Sequence, residues 1–320
     1  MIPNRHKYAA RLNAFKVRGG TVAEMIVGAG RVGGLSAADL NYPDHFEAHD
    51  IGVLSGLLAD QGLTLNGLAM RYYTEPGFRL GAFTHPDPAI RRAAIDLTRR
   101  GIDACAAMGG SQMTLWMGQD GFDYSFQVDY ARLWDDTIAA IAEVADHNPA
   151  IDIAVEYKPN EPRAHALMPD MATTLLALTE VGRANTGVTL DFAHMLYAGE
   201  MPAKAAMLAG RQSRILGLHL NDSYGKRDDG LIAGSVHPVQ TVELLVAVLR
   251  LGYGGVIYFD TFPDLSGLDP VAEAQANIRA TDRLIDLARG LAADPVLAVA
   301  QRGQDAAAAT TRVMSALLGV

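Results

Sequence analysis

The sequence is short of cysteine and of long apolar runs, and each shortage excludes a class of protein. Of its 320 residues only Cys105 is a cysteine. A single thiol forms no intramolecular disulfide, and its helical surroundings favour a packed thiol over a reactive one. No stretch of about 18 apolar residues occurs, and the first residues have no apolar core of signal-peptide length. We therefore expect a soluble, cytoplasmic protein with no membrane partner.

Clustered positive charge is also missing, which argues against nucleic acid as a partner. The chain has 27 basic and 36 acidic residues, a formal net charge of −9, and its basic residues are scattered. A surface that binds phosphate backbones needs a basic stripe. The hydrophobic content of 49% instead fits one large barrel or two smaller globular domains.

Short apolar runs alternate along the chain with longer segments of helical period. Several runs are apolar without alternation, as is typical of strands buried on both faces of a parallel sheet. Eight such βα units predict an α/β fold, a (β/α)8 TIM barrel. The expected strands are Leu12–Val17, Ala38–Asn41, Leu63–Arg71, Gln112–Met117, Ile151–Tyr157, Val188–Phe192, Ile215–Leu220 and Val256–Phe259.

The barrel is expected to occupy residues 1–290, with a C-terminal helical extension over residues 291–320. The extension is rich in alanine and helical in pattern, with Pro295 well placed near a helix start. It is too short to form a domain. We expect it to cover a neighbouring helix or subunit at the interface of a homo-oligomer, a dimer or a tetramer.

The segment "GAGRVGG" matches the glycine pattern of dinucleotide-binding loops through Gly28, Gly30 and Gly33. That pattern requires a strand before it and a helix opening within it. Here the preceding residues, "TVAEMIVGAG", resemble a helix that ends in glycines, and the following residues resemble a strand. The sequence therefore favours a helix terminus over a cofactor loop.

Acids and histidines follow the apolar runs of four successive units. Chemistry in such a barrel collects at the carboxyl ends of the strands. Carboxylates held close together repel each other unless a proton or a cation neutralises them. A mixed set of oxygen and imidazole ligands suits Mn²⁺, Mg²⁺ or Co²⁺ better than a structural thiolate zinc. The residues concerned are Glu156, Asp191 with His194, His219 with Asp222, and Asp260.

Each of these residues also has a simpler interpretation. A single acid at a strand end often caps the next helix, and a single histidine such as His219 is often hydrogen-bonded in a core. Asp222 lies in "NDSYG", where turn chemistry is favoured. Glu161 and Arg163 could pair with each other. The coincidence in consecutive units favours a shared cation.

The segment "EYKPNEPR" (Glu156–Arg163) closely resembles the Glu-Pro-Lys-Pro-Asn-Glu-Pro-Arg segment of D-xylose isomerases. Its opening is also similar to the Glu-Tyr-Lys-Pro of L-rhamnose isomerases. The resemblance continues through "LNYPDHF", "LWMGQDGFDY", "LDFAHMLYAGE", "HLNDSYGKRDDG" and "YFDTFPD". The chain is identified as a member of the xylose isomerase-like TIM-barrel superfamily.

The resemblance implies a role for each matching residue. The first metal site would comprise Glu156, Asp191, His219 and Asp260. Lys158 would hydrogen-bond the substrate oxygen next to the reacting carbons, and Trp116 would wall the sugar pocket. The remaining expected residues are His194 and Asp228 of a second metal site, with His45 and Asn221 as substrate-binding residues.

The family pattern breaks at the second metal site and at the histidine that opens the cyclic sugar. The second acid of an Asp-x-Asp pair falls on Gly230, unless a shift of one residue lets Asp229 serve. His45 is only a candidate for the ring-opening histidine. A second, catalytic metal and a metal-assisted hydride shift are therefore not secured by the sequence.

The resemblance implies a sugar isomerase that interconverts an aldose and a ketose with a divalent metal, Mn²⁺ being favoured. A ketose epimerase is the alternative, with Glu156 and Asp260 as its two acids. Lys158 argues against an epimerase, since a cation beside a base suppresses its basicity. A metal-dependent lyase or deglycosidase, and a sugar-binding subunit with a decayed second metal site, also stay open.

Overall fold

The computed structural model describes residues 6–16, 20–72 and 76–319. Eight of its ten strands form one parallel sheet, and two short strands, the fifth and the seventh, pair antiparallel outside it. The strands are β1 Tyr8–Ala10, β2 Ala37–Tyr42, β3 Thr64–Met70, β4 Gln112–Trp116, β5 Gly121–Phe122, β6 Asp152–Glu156, β7 His165–Ala166, β8 Thr186–Asp191, β9 Ile215–Leu220 and β10 Ile257–Phe259.

The sheet has the strand order β1-β10-β9-β8-β6-β4-β3-β2 and curls until its two edge strands meet. An isolated bridge joins Arg11, the residue after β1, to Asp39 within β2, and the Ser36 amide donates to the Tyr8 carbonyl at 2.9 Å. The predicted TIM barrel is confirmed. Its carboxyl strand ends therefore open at one mouth.

Helices surround the barrel, and aspartates cap most of them. The side chains of Asp50, Asp87, Asp129 and Asp170 each accept a hydrogen bond from the first turn of the helix that follows. The helices are α1 Val22–Gly30, α2 Ile51–Asp60, α3 Pro88–Ala107, α4 Tyr130–His147, α5 Met171–Val181, α6 Phe192–Tyr197, α7 Pro202–Gln212, α8 Pro238–Arg250, α9 Pro263–Ser266, α10 Pro270–Ala292, α11 Pro295–Arg302 and α12 Ala306–Leu318.

The expected first strand, Leu12–Val17, is wrong. Leu12–Phe15 is a 3-10 helix, Val17 lies outside the described residues, and the true strand β1 precedes it. The apolar side chains of the 3-10 helix are buried because they pack under α1, not because they belong to a sheet. A β-carbon on Gly28 would lie 3.1 Å from Cβ of Phe15.

The glycine-rich segment ends a helix, as the sequence favours. Thr21 and Glu24 form a reciprocal capping box at the start of α1, and Gly33 has a φ of +73° in the turn after it. A β-carbon on Gly30 would lie 2.4 Å from Oε1 of Gln61. Packing against neighbours therefore accounts for these glycines without a dinucleotide.

The C-terminal extension consists of α11 and α12, and α11 begins at Pro295 as the sequence predicts. Helix α12 has no buried residue, and the Val296 and Val299 side chains of α11 are 60% and 61% exposed. An oligomer interface here remains a prediction. Among the described residues, no helix is both long and apolar enough to cross a membrane. Cys105 is fully buried, as expected.

Candidate metal centre and sugar-sized cavity

Four side chains meet at the barrel mouth in a group that could hold a metal ion. Glu156 and Asp191 are the last residues of β6 and β8, His219 lies one residue before the end of β9, and Asp260 follows β10. One ligand atom from each lies within 4.8 Å of the others. Parallel pairing explains the convergence, because Asp191 is in register with His219 and Glu156 is in register with Thr189.

His219 is not a hydrogen-bonded core histidine. Its Nδ1 atom is buried, lies 3.3 Å from Oε1 of Glu156 and 3.6 Å from Oδ2 of Asp191, and makes no hydrogen bond with either. The ring packs on Tyr258, with a centroid separation of 4.4 Å. A buried nitrogen directed at two carboxylates fits a shared cation.

The electrostatics of the cluster also suit a cation. Burial, together with the nearby charges of Asp191 and Glu156, raises the pKa of Asp260 to about 7. Burial alone would lower the pKa of His219, but Glu156 and Asp191 raise it well above its ordinary value. A divalent ion would relieve this crowding of like charges. The oxygen and nitrogen donors fit such an ion.

Asp191 combines the two interpretations that the sequence leaves open. Its Oδ1 atom accepts a hydrogen bond of 3.0 Å from the His194 amide and so caps α6. Its Oδ2 atom faces His219 in the cluster. Asn221 donates to both oxygens at 3.2 Å. The capping bonds hold the carboxylate in a fixed orientation, which prepares it to bind a metal.

Lys158, His194 and Asp228 form a second polar group beside the cluster. The Lys158 ammonium lies 2.8 Å from Oε2 of Glu161 and 3.3 Å from Oδ2 of Asp228. Burial would lower its pKa, but these two carboxylates raise it, so the side chain is charged. His194 Nε2 lies 3.1 Å from Oδ2 of Asp228, and its Nδ1 lies 2.9 Å from the Tyr157 carbonyl.

The described residues do not fit a second metal ion beside Asp228. Gly230 supplies no carboxylate, and a β-carbon there would lie 2.3 Å from the Phe262 ring. The Asp229 carboxylate accepts from Arg227 Nε at 2.7 Å and from the Tyr224 amide at 2.9 Å, so it serves the loop instead. The side chains of Lys158 and His194 instead contact the Asp228 carboxylate.

A cavity of about 300 Å³ opens beside the cluster, a volume at the lower end of the range for ligand sites. Lys158 and Trp116 line it together with three of the cluster residues and both His194 and Asp228. Sequence reasoning missed further lining residues, among them Arg11, Asp39 and Tyr258. The signal was available for Asp39 and Asn41, which are polar at alternate positions of a strand and therefore share its inner face.

Two predicted substrate-binding residues lie outside the cavity lining. The Asn221 side chain is fully buried and ties Asp191 to the Ala193 amide, at 2.8 Å, and to the Asp260 carbonyl. His45 is buried where its Nδ1 accepts from the Asn41 amide at 3.0 Å and its Nε2 lies 2.9 Å from Oδ1 of Asn13. Neither ring nitrogen of His45 faces the metal cluster.

The simpler interpretations hold in one case and fail in another. Asp222 accepts hydrogen bonds from the amides of Ser223, Val236 and His237, so it anchors a turn as expected. Glu161 and Arg163 do not pair through their side chains. Glu161 binds Lys158, and Arg163 Nε donates to Asp123 at 2.8 Å.

Comparisons with known proteins agree with this geometry. The chain is 28% identical over 211 residues to the xylose isomerase of Thermus thermophilus, a match that covers 63% of this chain and 54% of that enzyme. The chain thus spans about half the length of the curated relatives it matches. A D-allulose 3-epimerase from Methylomonas sp. superposes with a TM-score of 0.70 at 21% identity, covering 88% of this chain and 99% of that one.

The IOLI protein, solved with a bound zinc atom, superposes with a TM-score of 0.66 at 14% identity, covering 87% of this chain and 98% of that one. At such identities the likeness concerns the fold. The model of the family described as xylose isomerase-like TIM barrel matches residues 18–284. These residues include the whole metal cluster, and the chain belongs to the xylose isomerase-like TIM-barrel family.

Proposed function

We propose that the protein is a divalent-metal-dependent sugar isomerase that interconverts an aldose and a ketose. One observation carries the proposal: the charged, half-buried ammonium of Lys158 shares a sugar-sized cavity with Glu156, His219 and Asp260. A fixed cation beside a metal cluster suits a reaction in which negative charge develops on a carbonyl oxygen.

The chemistry follows from the residues that line the cavity. Glu156, Asp191, His219 and Asp260 would hold a divalent cation, with Mn²⁺ the ion we favour, and this ion would supply Lewis acidity toward the substrate. Lys158 donates a hydrogen bond to the carbonyl oxygen and stabilises its developing charge. Asp228 and Glu161 keep the ammonium charged and in place.

Isomerisation moves one hydrogen from C2 to C1 and one proton from O2 to O1, so the reaction needs no external oxidant or reductant. Trp116 packs near the ammonium, whose nitrogen lies 5.7 Å from the indole centroid, and closes one side of the cavity against water. These two residues orient the substrate's reacting end.

A ketose 3-epimerase is the second candidate, and the cluster itself favours it. Glu156 and Asp260 are two carboxylates on different strands of one single-metal group, which is an arrangement able to remove a proton on one face and return it on the other. Solved neighbours include ketose 3-epimerases, one of them in complex with D-allulose.

A sugar panel in deuterated water separates these functions. We expect the Mn²⁺-loaded protein to convert a ketose to an aldose, identified by chromatography and NMR. The aldose carries deuterium at C2 if the moving hydrogen exchanges with solvent, and none if it passes directly between the two carbons. A ketose epimer labelled at the inverted carbon would instead establish the epimerase. Stabilisation by sugars without any product would indicate a binding protein.

Lys158→Met tests the residue on which the isomerase rests. We expect turnover to fall roughly 100- to 1,000-fold, because a donor to the developing oxyanion is lost. The melting temperature and metal content should stay near those of the native protein, since Asp228 retains His194 as a partner. Lys204→Met, at an exposed position on α7, is the matched control. Near-native turnover in the Lys158 variant would contradict the assignment.

A further inference from the structure

Asp39 lines the same cavity as the metal cluster without belonging to it. It is the third residue of β2, and its neighbours Ala38 and Leu40 are fully buried on the opposite face of the strand. The side chain therefore points inward, toward the barrel axis. The residue as a whole is 7% exposed, so the carboxyl group lines the cavity with little access to bulk water.

The chain supports this carboxyl group with one side chain. Asn66 Nδ2 lies 2.9 Å from Oδ1 and 3.2 Å from Oδ2 of Asp39. The pairing of β2 with β3 shifts at this point: Ala38 is opposite Leu65 but Asp39 is opposite Gly67. Asn66 is the extra residue of this bulge, and a bulge redirects the side chain that it contains.

That support leaves most of the carboxyl group's hydrogen-bonding capacity unused. A carboxylate has about four acceptor sites. Among the described residues, the Asn66 amide is the hydrogen-bond donor that reaches Asp39. A buried carboxyl group with so few donors is costly to maintain. Burial accordingly raises its pKa to about 6, despite the Asn66 bond and the nearby His219.

Sugar hydroxyl groups are hydrogen-bond donors that such a carboxyl group can accept from. Asn41, two residues along the same inner face, and the Thr114 and Tyr258 side chains line the cavity beside Asp39. This part of the cavity lining is therefore polar. Since the cluster and Lys158 engage the reacting end, a hydroxyl group elsewhere on the substrate can reach Asp39.

We propose that Asp39 is a specificity-determining residue that accepts a hydrogen bond from one substrate hydroxyl group and so selects polyols over analogues that lack it. Asn66 is its positioning residue. The inference rests on the proposed function only in that the ligand is a sugar or polyol. It assigns binding, and not bond breaking, to Asp39.

Asp39→Asn is the central test, with binding of linear polyols and their monodeoxy analogues to Mn²⁺-loaded protein measured by calorimetry. A hydrogen bond to a charged group contributes about 1.5–3 kcal/mol, so native protein should bind one deoxy analogue roughly 10- to 100-fold more weakly than the parent polyol. The variant should lose this preference. For a converted sugar, KM should rise by a similar factor while kcat changes far less.

Asn66→Ala is a second variant, which keeps the carboxyl group but removes its support, and we expect it to lose part of the same preference. Asp50→Ala, which removes the cap of α2, is the stability control: it should lower the melting temperature and leave polyol preference unchanged. A merely structural Asp39 would behave like Asp50.

The outcomes distinguish this inference from the proposed function. Native preference among deoxy analogues in Asp39→Asn overturns the inference, even if the enzyme converts sugars. Polyol binding with Asp39-dependent preference but without sugar conversion supports the inference and overturns the isomerase. A native protein that binds no polyol overturns both.

Discussion

At the scale of single residues, His45 shows how surroundings decide what an imidazole can do. The Asn41 amide donates to its Nδ1, which leaves the proton on Nε2, directed at Asn13. Burial lowers the pKa of His45 to about 3, and the nearby cations Arg71 and Lys16 contribute. A histidine so placed holds the turn after β2 and stays neutral.

This environment makes stability depend on pH in a defined direction. The unfolded chain binds a proton at His45 below about pH 6.5, whereas the folded chain resists it until about pH 3. The stabilisation is therefore complete above pH 6.5 and is lost as the pH falls, by up to about 1.4 kcal/mol per pH unit. His45→Gln should unfold in urea with a shallower dependence between pH 6 and 4.

The chosen control is His147→Gln, which alters an exposed histidine paired with Asp103 on the helical surface. Both variants remove one imidazole, but of these two histidines His45 is buried and His147 is exposed. Identical pH profiles for the native protein and His45→Gln would contradict the buried, neutral histidine.

The four residues of the candidate metal cluster could be predicted singly because each interrupts or follows an apolar run at a similar place. Glu156 and Asp191 are visible in this way. The cavity residue Arg11 was not, because the strand that precedes it, β1, has three residues and leaves almost no apolar pattern. Its contacts with Asp264, at 2.7 Å, and Phe262 join segments about 250 positions apart, which no local pattern reports.

At the scale of elements, the loop after β9 shows why the described residues beside Asp228 do not fit a second metal ion. Gly230 has a φ of +59°. The Phe262 amide donates a hydrogen bond of 2.9 Å to the Gly230 carbonyl and holds the loop in place. The Phe262 ring fills the space that an added side chain would need. The loop is therefore built around glycine.

Gly230→Ala should destabilise the protein for two reasons, backbone strain and collision with the ring. Gly252→Ala separates them, because Gly252 has a φ of +73° but nothing within 4 Å of an added β-carbon. Left-handed backbone costs a non-glycine residue about 1–2 kcal/mol. We expect that cost at Gly252 and a further loss of about 1–3 kcal/mol at Gly230, measured by urea unfolding. Equal losses of stability in the two variants would show that the Phe262 ring moves aside without cost.

Element prediction succeeded where strands are long and continuously apolar, as in β8 and β9. It failed at β1. The neighbouring 3-10 helix has buried apolar residues, and four residues are too few for a helical period to be told from a strand pattern. The bulge at Asn66 was equally hidden. A shift of pairing depends on the partner strand, and one strand's sequence does not encode it alone.

At the scale of the whole molecule, the cluster links metal binding to stability. An ion that binds only the folded chain stabilises it by about 2.7 kcal/mol at 100 times its dissociation constant. We expect Mn²⁺ to raise the melting temperature by several degrees and a chelator to reverse the change. Asp260→Asn should not respond to Mn²⁺.

The metal-free Asp260→Asn protein should melt at or above the temperature of the metal-free native protein. Burial and neighbouring carboxylates make the Asp260 charge unfavourable, and the amide removes it. A variant that is unstable without metal, or one that still responds to Mn²⁺, would contradict the four-residue cluster.

The barrel closes between β1 and β2 through an isolated bridge, Arg11 to Asp39, and a hydrogen bond from the Ser36 amide to the Tyr8 carbonyl, whereas the strands of the four cluster residues pair with one another in sequence around the barrel. Asp39, which we propose selects the substrate, and the candidate metal cluster thus lie on different strands of the barrel. If Asp39 selects the substrate as we propose, changes on β2 can alter substrate preference without altering the proposed metal ligands. Proteins with this arrangement can therefore change substrate preference while they keep the same reaction chemistry.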